Sequence, residues 1–182
     1  MRTNAKSRLL ALVLAVIMVV SMLPTFASAA TTYTKITSLD ELTTGKYVMV
    51  TSNGYAPTYF SSVDNKDWVL STKPTVSGTT LTDPSADMVW TLTVNGSNVQ
   101  LTDKNGVTVA PKGGSTNGIQ SGTYNWAVSC PNGTFQFKGQ GTDTVTLAAN
   151  AGSSYQFRAY KNDTVTGNAN GYPSFFTLYK MD

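Results

Sequence analysis

The stretch Trp90-Thr91-Leu92-Thr93-Val94-Asn95-Gly96-Ser97-Asn98-Val99-Gln100-Leu101 decides how the rest of the chain is read. Large apolar residues alternate with polar ones on either side of an Asn-Gly pair. Alternation with period two is the pattern of a half-buried strand, and Asn-Gly between two such runs predicts a hairpin. A second turn at Asn105-Gly106 leads into Val107-Thr108-Val109. The same order of features returns later in the chain. Trp126-Ala127-Val128-Ser129 turns at Asn132-Gly133 into Phe135-Gln136-Phe137, and a further polar turn leads to Val145-Thr146-Leu147-Ala148.

Outward from these two units, Asn-Gly recurs at Asn53-Gly54, Asn117-Gly118 and Asn170-Gly171. Both residues tolerate the positive φ of type I′ turns. Tyr47-Val48-Met49-Val50 predicts a strand, Tyr47 to Phe60 reads as a degenerate opening unit, and Phe175 to Tyr179 as the closing strand. Helix signals are few. Ser38-Leu39-Asp40-Glu41 fits a capping box with Gly45 as a stop, and Asp83-Pro84-Ser85 fits a single turn. Abundant threonine favours strands over helices. The chain is therefore read as all-β. Repetition predicts a β-trefoil-like closed barrel of short hairpins, whose first strand pairs near Phe175–Tyr179 and so removes open edges. A β-sandwich is the alternative. Trp90, Trp126, Phe135, Phe137, Phe175 and Tyr47 are the expected core aromatics.

Charge narrows the function classes. Of 13 lysines and arginines, Arg2, Lys6 and Arg8 lie in the first eight residues, no acid precedes Asp40, and the 10 bases beyond residue 29 balance the 10 acids. A neutral domain with Arg158 as its one remaining arginine is a poor match for polyanions, so no nucleic-acid partner is expected. The basic start, the apolar run from Leu9 to Leu23 and the ending Ala27-Ser28-Ala29 have the three parts of an export signal. The apolar run is shorter than the ~20 residues that span a bilayer. Residues 1–29 are expected to be removed before Ala30. That leaves residues 30–182 as one secreted, extracellular domain with no membrane span.

The sequence has no histidine and one cysteine, Cys130. That removes Ser-His-Asp and Cys-His arrangements, ordinary His-ligated metal sites and any intramolecular disulfide. Glu41, the single glutamate, reads as a cap and Asp83 as a turn starter. Asp64, Asp67, Asp103, Asp143 and Asp163 lie in turn-like stretches where solvated aspartates are expected. Asp64-Asn65-Lys66-Asp67 and Asp103-Lys104-Asn105 offer oxygen ligands without EF-hand spacing. No catalytic residue, metal site or cofactor is expected.

Binding is carried by the aromatics: nine tyrosines, seven phenylalanines and three tryptophans. Trp68 with Asp67 lies outside the repeated Trp position. Tyr55, Tyr59, Tyr124, Tyr155 and Tyr172 lie near Gly, Asn, Ser or Pro, at expected loop tips. A flat ring beside amides and carboxylates suits a sugar, covering C–H faces while polar groups bond hydroxyls. The same loop chemistry also suits a protein partner. A sugar site should show one aromatic platform with clustered polar groups; a protein site should show a broader apolar patch.

Tyr33-Thr34-Lys35-Ile36-Thr37-Ser38-Leu39-Asp40-Glu41-Leu42, then Gly45-Lys46-Tyr47-Val48-Met49-Val50, resembles the opening of an accessory β-domain attached to many secreted bacterial phosphoesterases, nucleases and glycan-active enzymes. Asp83-Pro84 through Trp90-Thr91-Leu92 resembles its middle. Phe157-Arg158-Ala159-Tyr160-Lys161 and Leu178-Tyr179-Lys180 resemble its end. The resemblance implies a non-catalytic binding module. A weaker likeness to ricin-type trefoil lectins lacks their Gln-x-Trp signature, which Met88-Val89-Trp90 and Tyr124-Asn125-Trp126 replace. Together these readings lead to a secreted, non-catalytic module that binds carbohydrate through loop aromatics. A surface protein as partner, or a ligandless role in the cell envelope, is the alternative.

Overall fold

The Trp90–Leu101 stretch forms the hairpin of β6 (Val89–Asn95) and β7 (Asn98–Thr102), with Leu92 opposite Leu101 and Val94 opposite Val99. Its turn differs from the expected type I′. Gly96 has φ 60, whereas Asn95 and Ser97 have no positive φ. Positive φ at the first central residue alone defines a type II′ turn, in which glycine takes that place. Only at Asn132-Gly133 do both residues of an Asn-Gly pair turn left-handed, with φ 54 and 74.

The computed structural model describes residues 30–63 and 66–182, with the side chains of Val63 and Lys66 left aside. The expected signal peptide at residues 1–29 lies outside the described residues, as do Asp64 and Asn65. Before the central hairpin come β1 (Thr32–Ile36), β2 (Gly45–Thr51), β3 (Ala56–Val63), β4 (Lys66–Thr72) and β5 (Thr80–Thr82). After it come β8 (Val109–Pro111), β9 (Ile119–Ser121), β10 (Trp126–Ser129), β11 (Gln136–Lys138), β12 (Val145–Asn150), β13 (Gln156–Lys161) and β14 (Phe176–Met181). A six-residue helix, α1 (Asn162–Gly167), interrupts the strands. The all-β reading holds.

The closed barrel, and with it the β-trefoil, does not. Twelve strands form one sheet in the order β3-β4-β13-β12-β11-β10-β7-β6-β2-β14-β1-β5, and β8 and β9 form a separate two-stranded sheet. The repeated hairpins β6–β7 and β10–β11 do join, through β7 and β10, and β1 does pair with β14, Tyr33 opposite Met181. Yet β1 takes β5 on its other side, and the opposite end runs out through β13 and β4 to β3. Among the described residues no ladder links β3 to β5, so the sheet stays open.

The open edges are blunted by other means. At β3 the Pro57 carbonyl accepts the Trp90 indole N–H at 3.0 Å, and the Phe60 N–H donates to Asp103 Oδ2 at 2.9 Å. A register shift between Pro57 and Phe60 bends the same strand, and β5 at the other end is only three residues long. Short, bent or side-chain-capped edges do not offer a flat template for another strand.

The main core lies on one face of the sheet. Trp90, Trp126, Tyr47, Phe135, Phe137, Phe157 and Phe176 are its largest buried side chains. A void beside Trp90 measures only about 10 Å³, at the limit of what a single water needs. Strand β2 is buried on both faces because Val48 and Val50 meet a second cluster containing Tyr33, Leu81, Met88 and Tyr179. On the far side of β12, Ala148 packs with Tyr160 and Val165, which brings α1 onto the sheet.

Three details depart from expectation. Phe175 is 42% exposed while Phe176 is fully buried. Phe176 exchanges hydrogen bonds with Phe135 and faces the core, so its predecessor must face away. Asp103, read as a solvated turn residue, is only 4% exposed. The Ser38–Glu41 box forms a turn without a helix. Glu41 accepts the Thr37 and Ser38 N–H groups at 2.7 and 3.0 Å, which hold its carboxyl below the usual range, Thr37 foremost.

Candidate functional site

The structure does not gather the sequence-predicted site residues into one platform. Trp68 on β4 lies beside Arg158 on β13, with the guanidinium 3.2 Å from the ring centroid. Arg158 Nε donates to the Asp67 carbonyl at 2.9 Å, and the Asp67 carboxylate pairs with Lys112 at 3.1 Å. The Ser62 hydroxyl, then Lys112, holds the Asp67 carboxyl below its usual range. One face of Trp68 is thus covered by a cation held in place from below. Trp68→Ala is expected to cost about 1–2 kcal/mol in a thermal melt through loss of this stack, and to leave glycan affinity unchanged.

The tyrosines are likewise engaged. Tyr55 and Tyr155 stack on each other with centroids 3.8 Å apart and planes 13° from parallel, and Lys73 sits 4.6 Å above the Tyr55 ring. Lys104 lies 5.0 Å above the Tyr59 ring. The Tyr124 hydroxyl donates to Asp143 Oδ2 at 2.8 Å and accepts the Gln140 N–H at 2.7 Å, while its ring meets Trp126 edge-on at 5.2 Å. Burial, with Asp143 adding to it, raises the Tyr124 pKa. Tyr172 packs against Tyr160 at 4.7 Å. These rings are half-buried and fasten loops and strand ends.

Two surface grooves stand out among the described residues. One, of about 390 Å³, runs over Tyr33 and Val89 between Lys46, Thr91, Asp83 and Lys104. Its aromatic ring is 4% exposed, and burial raises the Tyr33 pKa. Its charges are largely committed: Lys104 pairs with Asp87, Asp83 accepts the Thr31 N–H at 2.7 Å, and both Asp103 oxygens accept backbone N–H groups.

The other groove, of about 290 Å³, lies between the outer face of β11 and β12, helix α1 and the loop before β14. Strand alternation supplies its floor. Phe135 and Phe137 point into the core, so Gln136 and Lys138 point the other way, with Thr146 beside Lys138 in register. Gln136 Nε2 donates to Ser174 Oγ at 3.0 Å, which leaves the Gln136 carbonyl oxygen to accept. Thr146 Oγ1 donates to Asn162 Oδ1 at 2.7 Å, which leaves both amide hydrogens of Asn162 to donate. Phe175 stands at this groove with its ring exposed.

The sequence reading missed this group because its parts come from four separate segments. Helix α1 carried no helix signal: Thr164, Val165 and Thr166 are poor helix formers. Burial of Val165 and the bond from Thr166 Oγ1 to the Asn162 carbonyl at 3.0 Å hold it instead. The available signal was the Phe175-Phe176 pair. Successive residues at a strand start point to opposite faces, so one of the two rings had to leave the core.

Cys130 is half-buried, its Sγ donates to the Thr37 carbonyl at 3.3 Å, and burial raises its pKa. Among the described residues no group of three or more Cys, Asp or Glu side chains could hold a metal ion, and no helix is long and apolar enough to cross a membrane. No protein-family model matches the chain, and no curated protein or solved structure does either. The resemblance to an accessory β-domain rests on the quoted segments alone.

Proposed function

We propose that the protein is a secreted, non-catalytic binding module that holds carbohydrate on Phe175. The observation that carries this reading is the exposed Phe175 ring beside amides and hydroxyls already fixed by one another. An exposed ring covers the C–H face of a sugar, and pre-oriented amides bond its hydroxyls without first losing side-chain freedom. The groove volume of about 290 Å³ suits a single sugar unit or the end of a chain, since drug-sized sites begin near ~300 Å³.

The protein-partner reading is less well supported. It calls for a contiguous apolar patch, whereas the exposed large hydrophobics among the described residues, Leu39, Val76, Phe175 and Met181, come from separate stretches of the chain.

A glycan array of the purified protein, run beside Phe175→Ala, tests the proposal. Selective binding that falls at least about tenfold in the variant is expected, equivalent to ~1.4 kcal/mol. Stability should change by less than about 0.5 kcal/mol, as for a surface substitution. Phe175→Tyr should retain binding. Equal affinity in Phe175→Ala would remove the groove from the account.

A further inference from the structure

The Phe175 groove has an unbalanced charge. Lys138 is the one charged side chain along it, and no carboxylate lines it. The ammonium makes no ion pair among the described residues, in contrast to Lys104 with Asp87 and Lys112 with Asp67. Its cross-strand neighbours are Ala127 and Thr146, both uncharged, so its stem lies on the sheet face and its head is left to solvent. Asp163, the carboxylate carried by α1, is exposed and lies outside the groove lining. The other surface groove combines lysines with Asp83 and Asp103. In a domain whose charges otherwise balance, a lone cation beside two free amide hydrogens on Asn162 is a local feature.

We infer that this groove selects acidic sugars, with Phe175 under the ring and Lys138 paired with an anionic substituent, either a uronic carboxylate or a sulfate ester. The inference rests on the carbohydrate reading above and narrows it to one class of sugar. Lys138 supplies the charge, and the Asn162 amide supplies a directed donor for an anionic oxygen or an adjacent hydroxyl. An exposed ion pair of this kind contributes modest affinity, which sets the preference expected for an acidic over a neutral sugar at about fivefold.

Calorimetric titration of the purified protein with a galacturonic acid trimer, a galactose trimer and a sulfated galactose trimer tests it. The comparison is repeated with Lys138→Gln, Lys138→Arg and Phe175→Ala. At low salt the wild type should bind at least one acidic trimer about fivefold tighter than the neutral one, and added salt should narrow the gap. Which acidic trimer gains identifies carboxylate or sulfate. Lys138→Gln should bring the acidic trimer down to the neutral affinity, Lys138→Arg should keep the preference, and Phe175→Ala should weaken all three. A preference that survives Lys138→Gln, or a neutral trimer bound equally well by the wild type, overturns the acidic-sugar inference while leaving the carbohydrate reading in place. Binding undiminished in Phe175→Ala overturns both. Failure of all three trimers, when the array shows neutral glycans bound, also overturns the acidic-sugar inference.

Discussion

Trp126→Ala is expected to lose about 3–5 kcal/mol of folding stability, the range for a large aromatic truncated in a packed core. Trp126 is fully buried, and its indole N–H donates to the Val109 carbonyl at 3.1 Å. Truncation therefore leaves a cavity and strips a buried acceptor of its partner. The ring also ties the two sheets together, since Val109 belongs to the β8–β9 pair and Trp126 to the long sheet. Domains are stable by only about 5–15 kcal/mol, so the variant should stand close to unfolding. Trp126→Phe separates the two contributions by keeping most of the volume while losing the N–H. Urea denaturation measures both, read from the midpoint at unchanged slope. A loss below about 1 kcal/mol for the alanine variant would contradict the assignment of Trp126 to the core.

Asp103→Ala should cost about 3 kcal/mol or more, although the residue touches no ligand groove with a free oxygen. Its Oδ1 accepts the Asn105 and Val107 N–H groups at 2.8 and 2.9 Å, and its Oδ2 accepts the Phe60 N–H at 2.9 Å. One carboxylate thus closes the turn after β7 and caps the edge strand β3. Alanine would leave three backbone donors without it, each costing about 1–3 kcal/mol to the extent that water cannot replace the carboxylate. Freeing the Phe60 N–H should also open β3 to pairing, so the variant is expected to associate with rising concentration where the wild type does not. Asp103→Asn keeps one acceptor oxygen and should fall between the two. Denaturation curves combined with size-exclusion chromatography over a range of concentrations check both effects. Wild-type stability in Asp103→Ala would show that the three bonds contribute nothing net.

Much of this fold was legible in the sequence where local chemistry settles the outcome. The alternation from Trp90 to Leu101 gave a hairpin with Trp90, Leu92, Val99 and Leu101 buried. The Trp126 to Phe137 stretch repeated it, because side-chain period and a glycine turn are properties of short segments. What the sequence could not convey was closure. Whether the outer strands meet depends on long-range pairing, and here β13 carries the sheet out to β4 and β3 while β5 ends the other side. Two capped and shortened edges replace the closure that the repeat suggested.

The site shows the same division. Trp68 was read as lying outside the repeated Trp position and the five tyrosines as lying near loop tips, but their partners were invisible, and Tyr124 and Tyr155 pack against the main core. Arg158 reaches Trp68 from a strand remote in sequence, and Tyr155 finds Tyr55 across a comparable separation. Phe175 was counted as core because two adjacent phenylalanines opened an apolar strand. Its exposure follows from the single residue of frame fixed by Phe176. The six-residue helix that walls the groove is held by packing against the sheet, which no propensity scale for those residues would favour.

Backbone amide shifts of the isotope-labelled protein, recorded by NMR as the strongest array glycan is titrated in, locate the bound sugar on the fold. Shifts are expected to concentrate at Gln136–Lys138, Thr146, Asn162–Thr166 and Ser174–Phe175, with Tyr55, Trp68 and Tyr155 unmoved. Shifts centred on Trp68 or on the Tyr55–Tyr155 stack, with the Phe175 groove silent, would contradict the Phe175 site.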